Sequence, residues 1–321
     1  LDMKAVTIRN SVSGVLAYAR DVDATQSVNM EDVSISDIAT YGIRLEGTAL
    51  NATRLTVSNT LNQGVYTDHQ VQINGGEFSE IDSSCLEQTG EYPLTLTGVT
   101  MDGCASYAVY GRGDIRVIGS HIENVGRGVY STYGDVTFDT STLKGSGYYG
   151  LYVANSEKIL TVSEATVEDI GTNCVDSRGS LSITDSAVAH CEGWGVYATY
   201  DVAVDGLNVS DVTGSGVGAY YGDMTVKNAD ISLIGKAGIY LYNGDLQLDG
   251  MTGSVIGSDG VYVKGSAFID NLTLSDVNSD GLDVRGGQLK LSASAFQNVG
   301  RYFVAADKVS AKITDSSFEN A

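Results

Sequence analysis

A short phrase recurs along the whole sequence: a small residue, an aliphatic residue, often a tyrosine, and then another small or aliphatic residue. Regular copies begin at Gly42, Gly64, Gly128, Gly150, Gly195, Gly216, Gly238, Gly260 and Gly281, and degenerate copies begin at Gly14, Ser84, Ala108, Asn173 and Tyr302. From Gly42 onward, successive copies lie 20 to 24 residues apart, with a mean near 22. A fixed period of this length is the signature of a solenoid, in which each repeat buries its apolar face against the next repeat.

The apolar residues inside each period alternate in short stretches. In the period that begins at Asp245, Leu246 and Leu248 point one way, and Val261 and Val263 follow in the phrase. Alternation with a period of two indicates half-buried strands, and no segment carries a sustained helical stripe. The sequence therefore predicts an all-β, single-stranded parallel β-helix of about 14 coils of about 22 residues, with three short strands per coil. Neighbouring coils would stack at about 4.8 Å.

This frame of small residues, aliphatic residues and polar turns resembles the right-handed parallel β-helix superfamily. Pectate lyases, polygalacturonases, phage tailspikes and many bacterial surface proteins share that architecture. The resemblance covers nearly the whole chain and implies right-handed coiling and a secreted or surface protein of bacterial type. We expect one continuous domain over residues 1–321, cut from a longer chain, because no capping helix precedes or follows the coils.

Composition narrows the function classes. The formal charge is −21, from 40 acidic and 19 basic residues, with 39 Gly and 1 Pro. This acidity argues against a nucleic-acid partner and against docking on anionic lipid. No run approaches 18 apolar residues, so we expect no direct insertion into a membrane. The scarcity of proline fits a fold in which nearly every backbone N–H is needed by a neighbouring coil.

Polar residues mark two kinds of turn. One residue precedes the phrase and is Asp or Asn, which tolerate left-handed backbone, at Asp37, Asn59, Asn124, Asp169, Asp211, Asp276 and Asn298. The other turn carries acids that adjacent coils would place in a row, at Asp201, Asp223 and Asp245. Such a row is a solvated acidic edge or, because oxygen ligands favour it, a Ca²⁺ site. No other cofactor or metal is expected.

The four cysteines occupy two repeated frame positions. Cys85 follows the small residue of one phrase and Cys104 lies four residues before the next, and Cys174 and Cys191 repeat this placement. Both positions point inward in consecutive coils, so we predict Cys85–Cys104 and Cys174–Cys191 disulfides. The alternative is four small apolar core residues. Disulfides would place the chain outside the reducing cytosol, in the extracellular space, on the cell surface or in a periplasm.

The third position of the phrase points outward and is frequently tyrosine. The tyrosines at this position are Tyr66, Tyr110, Tyr130, Tyr152, Tyr197, Tyr240 and Tyr262, flanked on the same face by Tyr133, Tyr200, Tyr220, Tyr221 and Tyr242. The exceptions at this position are Arg44, Leu86, Val175, Gly218 and Asp283. This stripe is either cross-strand packing or a binding face for a glycan or a surface protein.

The sequence motifs of carbohydrate-cleaving relatives of this fold are absent. Asp176 and Arg178 beside the tyrosine stripe, and Asp283, are the remaining candidates for a catalytic acid or base. The preferred function is therefore a non-catalytic, rigid, adhesin-like module with a tyrosine-rich binding face, which also self-associates end to end if its ends stack. The alternative is a polysaccharide lyase or glycoside hydrolase that acts on an acidic polysaccharide along that face.

Overall fold

The computed structural model describes residues 1–19 and 26–320. The chain divides into two compact units, Leu1–Thr161 and Val162–Ala321. Each unit is a parallel β-solenoid, with about 13 turns of about 22 residues in all and no helix in the described residues. The predicted fold class is therefore confirmed.

Both units contain many strands, which range from 3 to 12 residues in length. The first unit contains β1 (Asp2–Lys4), β2 (Thr7–Ser11), β3 (Val15–Tyr18), β4 (Ser27–Ile38), β5 (Ile43–Glu46), β6 (Ala49–Thr60), β7 (Val65–Thr67), β8 (Val71–Ile81), β9 (Leu86–Gln88), β10 (Leu94–Cys104), β11 (Tyr107–Gly111), β12 (Ile115–Ile118), β13 (His121–Val125), β14 (Arg127–Ser131), β15 (Val136–Asp139), β16 (Thr142–Ser146) and β17 (Leu151–Val153). Strand β18 (Ile159–Ser163) contains the boundary. The second unit contains β19 (Thr166–Ile170), β20 (Val175–Ser177), β21 (Ser180–Cys191), β22 (Val196–Ala198), β23 (Val202–Val212), β24 (Val217–Ala219), β25 (Met224–Ile234), β26 (Ile239–Leu241), β27 (Leu246–Ile256), β28 (Val261–Val263), β29 (Ala267–Val277), β30 (Leu282–Arg285), β31 (Gln288–Ser292), β32 (Ala295–Val299), β33 (Val304–Asp307), β34 (Ser310–Thr314) and β35 (Ser317–Glu319).

Many coils join two of the three predicted short strands into one bent strand. Strand β4 runs for 12 residues through Asp32, which has a φ of 55°. The parallel ladder to β6 continues on both sides of that residue, with Glu31 opposite Thr53 and Val33 opposite Leu55. One left-handed residue therefore turns the chain without ending the strand. In other coils the strand divides at the bend, as it does between β12 and β13.

Inward side chains form columns that run from coil to coil. In the first unit Ile35, Val57, Phe78 and Met101 are in register and completely buried. Burying a side chain of this size stabilises the fold by about 1.5–3 kcal/mol. Because each coil adds one residue to every column, the apolar alternation detected in the sequence is the core itself.

The predicted Asp and Asn turn residues all adopt left-handed backbone. Their φ values lie between 48° and 58°, at Asp37, Asn59, Asn124, Asp169, Asp211, Asp276 and Asn298. Neighbours in the row also bond to one another: the Asn59 amide donates to Asp37 at 2.7 Å, and the Asn298 amide donates to Asp276 at 2.9 Å. An amide donor beside a carboxylate satisfies both groups, which two adjacent carboxylates could not do.

Both predicted disulfides are present, one in each unit. Cys85–Cys104 and Cys174–Cys191 have Cα–Cα distances of 5.5 and 5.6 Å. On the chain-entropy account, a bridge that closes a loop of this length stabilises the fold by about 3 kcal/mol. The two bridges repeat the same geometry in two places, as the repeated spacing predicted.

The register of the two cysteine-containing coils corrects one sequence prediction. Leu86 pairs with Val65 and Val175 pairs with Val196, so both residues point inward, not outward. The cysteine before each of them therefore stands at the position that glycine holds in the neighbouring coils. The outward residues are Glu87 in one coil and Asp176 in the other. The phrase lacks its glycine in these coils, so the sequence pattern alone places its start one residue too early.

Candidate functional site

The outer face of the short strands in the first unit is a continuous column. The register places in one row the residues Arg44, Tyr66, Glu87, Tyr110, Tyr130 and Tyr152. The Tyr110 and Tyr130 rings stack with centroids 5.6 Å apart, and the Tyr130 and Tyr152 rings stack at 4.9 Å. Burial, reinforced by the neighbouring tyrosines, raises the pKa of Tyr130. Tyr130 is stacked on both faces by its neighbours, so the tyrosine part of this column is chiefly cross-strand packing.

The same column in the second unit is interrupted. The register places in one row Asp176, Tyr197, Gly218, Tyr240, Tyr262, Asp283 and Ala305. Tyr240 and Tyr262 stack at 5.0 Å, as the tyrosines of the first unit do. At Gly218 there is no side chain to continue the ladder. The predicted tyrosines thus occupy the outward column in both units, but only the second unit leaves a gap in it.

Trp194 fills the gap at Gly218. A β-carbon on Gly218 would lie 2.2 Å from Cζ3 of Trp194, so the indole lies directly over the glycine. The indole centroid is 5.2 Å from Tyr197 and 5.7 Å from Tyr240, with both rings inclined to it. Trp194 is half-buried. This is the only tryptophan in the chain. The result is an aromatic platform formed by Trp194, Tyr197 and Tyr240.

A buried carboxylate lies next to Tyr197, opposite it in the parallel ladder. Asp176 is 4% exposed, and one oxygen accepts a hydrogen bond from the Asn173 amide at 2.7 Å. Its other oxygen, Oδ1, has no hydrogen-bond partner. Burial raises the pKa of Asp176, and the Asn173 hydrogen bond and the Arg178 charge oppose that shift. Burial and the nearby Asp176 raise the pKa of Tyr197. A desolvated acceptor without a partner is costly unless a ligand completes it.

Asp283, the third catalytic candidate, lies elsewhere on the column and is fully engaged. Arg285 donates three hydrogen bonds to its carboxylate, at 3.2, 3.2 and 2.8 Å. The guanidinium also lies over the Tyr262 ring at 5.1 Å. Asp280 nearby pairs with Arg301 at 3.3 Å, although burial raises its pKa. The structure brings together Asp176 and the aromatic platform, and it leaves Asp283 in a separate ion pair.

The flanking tyrosines lie at the turn that follows the short strand. Tyr133, Tyr200 and Tyr221 are between 41% and 46% exposed, and Arg112 covers the Tyr133 ring at 4.9 Å. In the second unit Tyr220 stacks on Tyr242 at 4.6 Å. These rings form an exposed border to the outward column rather than part of its ladder.

The carboxylates of the acidic row accept hydrogen bonds from the backbone of the next coil. Asp201 accepts the N–H of Asp223 at 2.9 Å, Asp223 accepts the N–H of Asp245 at 3.0 Å, and Asp245 accepts the N–H of Ser266 at 2.8 Å. Each carboxylate therefore caps the next coil while its remaining surface faces water. Within residues 1–19 and 26–320, no group of three His, Cys, Asp or Glu side chains is arranged to hold a metal ion.

Sequence reasoning did not identify Trp194, Asn173 or the role of Gly218. A usable signal was present: the sole tryptophan stands one residue before a phrase glycine, and in the next coil the phrase shows glycine where tyrosine is usual. A missing side chain in a stacked column leaves space for a large neighbour. That reasoning requires the coil register, which the sequence fixes less firmly than the period.

Comparison with known proteins establishes the architecture. The model of the right-handed β-helix region family matches residues 6–167 and 97–252, and the chain therefore belongs to this family of right-handed parallel β-helix proteins. No curated protein is detectably similar to it in sequence.

Two solved structures show a remote likeness. A GH136 lacto-N-biosidase from Eubacterium ramulus is 11% identical, with a TM-score of 0.35 over 85% of this chain, and this chain spans 62% of that one. A PL6-family alginate lyase is 5% identical, with a TM-score of 0.21 over 99% of this chain and 97% of its own.

The disulfides indicate in which cellular compartment the protein is found. All four cysteines are bridged. Protein disulfides persist in oxidising environments, which indicates a location outside the cytoplasm. Among the described residues, no helix has the length and apolar character needed to cross a membrane.

Proposed function

We propose that this chain is a non-catalytic carbohydrate-binding β-helix, displayed outside the cell, whose binding site is the aromatic platform of Trp194, Tyr197 and Tyr240 together with Asp176. The observation that carries the proposal is the position of Trp194, which lies over Gly218 in a gap of an otherwise stacked column. A flat indole supported from below offers a rigid apolar surface to the C–H face of a sugar ring.

Asp176 supplies the polar half of such a site. Its Oδ1 atom is buried and without a partner, so a sugar hydroxyl that displaces the side chains covering this atom and donates to it would satisfy a desolvated acceptor. Aromatic surface and one or two fixed polar groups are the usual composition of a small-ligand site. The formal charge of −21 disfavours polyanionic glycans and favours neutral ones.

The test is a glycan array followed by titration of the best ligands by isothermal titration calorimetry, which works equally for variants that lack Trp194. Trp194→Ala and Asp176→Asn are expected to weaken binding at least ten-fold, about the loss of one charge-assisted hydrogen bond or one stacking contact. Tyr18→Ala is the matched control, because Tyr18 is an exposed tyrosine of the first unit. Unchanged affinity in Trp194→Ala, or no binding to any glycan on the array, contradicts the proposal.

A second candidate function is cleavage of a polysaccharide at the same place. The direction of the Asp176 pKa shift favours it, because burial raises the pKa of this carboxyl above its ordinary value, which is the direction a general acid needs. Arg178 is the nearby cation that contributes to that pKa. Product formation from any array-positive glycan, abolished in Asp176→Asn with binding retained, would establish catalysis. Binding without turnover over prolonged incubation would exclude it for that glycan.

A further inference from the structure

In one row of turn residues of the second unit, two consecutive coils carry an aliphatic residue where the other coils carry Asp, Asn or His. The residues of this row have φ values between 51° and 58°, at Asp169, His190, Asp211, Leu233, Val255, Asp276, Asn298 and Asn320. Asp and Asn adopt this backbone readily, whereas a β-branched or bulky aliphatic residue there is an outlier. Leu233 and Val255 occupy adjacent coils, because Ser232 pairs with Ser254 and Ile234 pairs with Ile256.

The same two residues are also exposed. Leu233 is 54% and Val255 is 50% accessible, although both are large aliphatic residues. Strained backbone and exposed apolar surface are separate costs, and a polar Asn would remove both. Because the turn requires left-handed backbone but not an aliphatic side chain, the choice of Leu and Val here is a reason to look for a function.

A shallow groove runs beside this pair. Its floor is formed by Gly235 and Gly257, which carry no side chains and follow the two turns. The N–H groups of both glycines already donate to the preceding coil, at 2.7 Å in each case. The floor therefore offers contact surface and no free amide donor at these residues, so an occupant would be held by its side chains.

Carboxylates stand at both ends of the groove. Asp211 lies one coil before Leu233, and Asp276 lies one coil after Val255. The two acids are three coil steps apart, or about 14 Å at the usual stacking distance. His190 approaches Asp211 at 3.7 Å and the Asn298 amide donates to Asp276, but both acids also line the groove.

We propose that the Leu233–Val255 groove docks an extended basic segment of another protein, with the pattern basic–x–aliphatic–x–basic. Alternate residues of an extended strand share one face, and residues four apart are separated by about 13 Å. The two basic side chains would then reach Asp211 and Asp276 while the aliphatic side chain packs on Leu233 and Val255. A second copy of this chain is disfavoured as the occupant by its charge of −21.

The test uses a synthetic peptide that contains Lys-Thr-Val-Thr-Lys, labelled for fluorescence anisotropy. Wild type should bind it saturably, and peptides with Glu in place of both lysines or Ser in place of valine should bind at least ten-fold more weakly. Raising the salt concentration should also weaken binding. Absence of saturable binding by the wild type at millimolar concentration overturns the proposal.

The decisive protein variant is Leu233→Asn/Val255→Asn. It should lose at least ten-fold in affinity while its melting temperature stays unchanged or rises by a few degrees, because Asn suits the left-handed backbone. Asp211→Asn/Asp276→Asn keeps the turns and removes only the charges, and it should show a similar loss. Leu61→Asn, at an exposed leucine of the first unit, is the control and should bind as wild type does.

Two outcomes would overturn the docking proposal at this stage. Wild-type affinity in the Leu233→Asn/Val255→Asn variant would show that the peptide binds elsewhere. Concentration-dependent dimers in sedimentation velocity, abolished by the same variant, would show that a second copy occupies the groove. Neither outcome touches the Trp194 site, so this proposal and the proposed function fail independently.

Discussion

The two units carry the same strand arrangement but different outer faces on their short strands. In the first unit, Tyr110, Tyr130 and Tyr152 stack on one another, so that both faces of the Tyr130 ring are covered. In the second, Gly218 leaves a gap in the column and Trp194 lies across it. Repetition along a solenoid stabilises the fold, whereas a local departure from the repeat is where function is expected. The comparison therefore separates a structural ladder from a candidate binding site on equivalent surfaces.

Removing either disulfide is expected to have the largest effect on stability. Cys85→Ala/Cys104→Ala and Cys174→Ala/Cys191→Ala should each lower the free energy of unfolding by about 3 kcal/mol, measured by urea denaturation. Only the second pair should also weaken glycan binding, because the Cys174 N–H donates to the Trp194 carbonyl at 3.0 Å. Equal loss of binding in both variants would contradict the assignment of the site to the second unit.

Tyr130→Ala tests whether the ladder of the first unit is structural. It removes two stacked pairs and should destabilise the fold by about 2 kcal/mol, measured by thermal denaturation followed by circular dichroism. Glycan affinity should not change. Tyr130→Phe keeps the ring and serves as the control, with stability close to wild type. A strong loss of affinity in Tyr130→Ala would mean that the ladder itself binds the ligand.

Much of this architecture follows from local rules that a sequence displays. The period, the Asp and Asn turns and the two disulfides depend on which residues tolerate left-handed backbone or point inward, and all three predictions are confirmed. The two bent strand segments were not predicted to merge, because a single residue such as Asp32 can turn a strand without breaking its ladder.

The candidate site was harder to predict than the fold. Asp176 was identified as a polar residue beside the tyrosines, but its burial depends on a register that the missing phrase glycine obscured. Trp194 lies outside the phrase, and its position depends on the absent side chain of Gly218 one coil beyond Tyr197. A site formed by gaps and by contacts between coils leaves little trace in any single repeat.

Asp176→Asn should stabilise the second unit at neutral pH. Burial raises the folded-state pKa of Asp176 above its ordinary value of 3.8. The folded state therefore binds the proton more tightly than the unfolded state, and Asp176 costs stability as pH rises above about 4. The neutral amide should raise the free energy of unfolding by about 1 kcal/mol at pH 7, with less gain at pH 4. A gain that is independent of pH would contradict a buried, titrating carboxyl.

Gly218→Ala should have the smallest effect on stability and the most specific effect on the site. The new methyl group would lie 2.2 Å from the indole, so Trp194 must move while the strand beneath it stays in place. Because Trp194 is the only tryptophan, its emission reports this movement directly, and we expect a red shift and stronger quenching by acrylamide. Glycan affinity should fall although the melting temperature changes little. The matched control is Gly147→Ala in the first unit, because the new methyl group there would meet no atom closer than 3.4 Å. An unchanged emission spectrum in Gly218→Ala would mean that Trp194 does not rest on Gly218 in solution, and the difference between the two outer faces would then lose its physical basis.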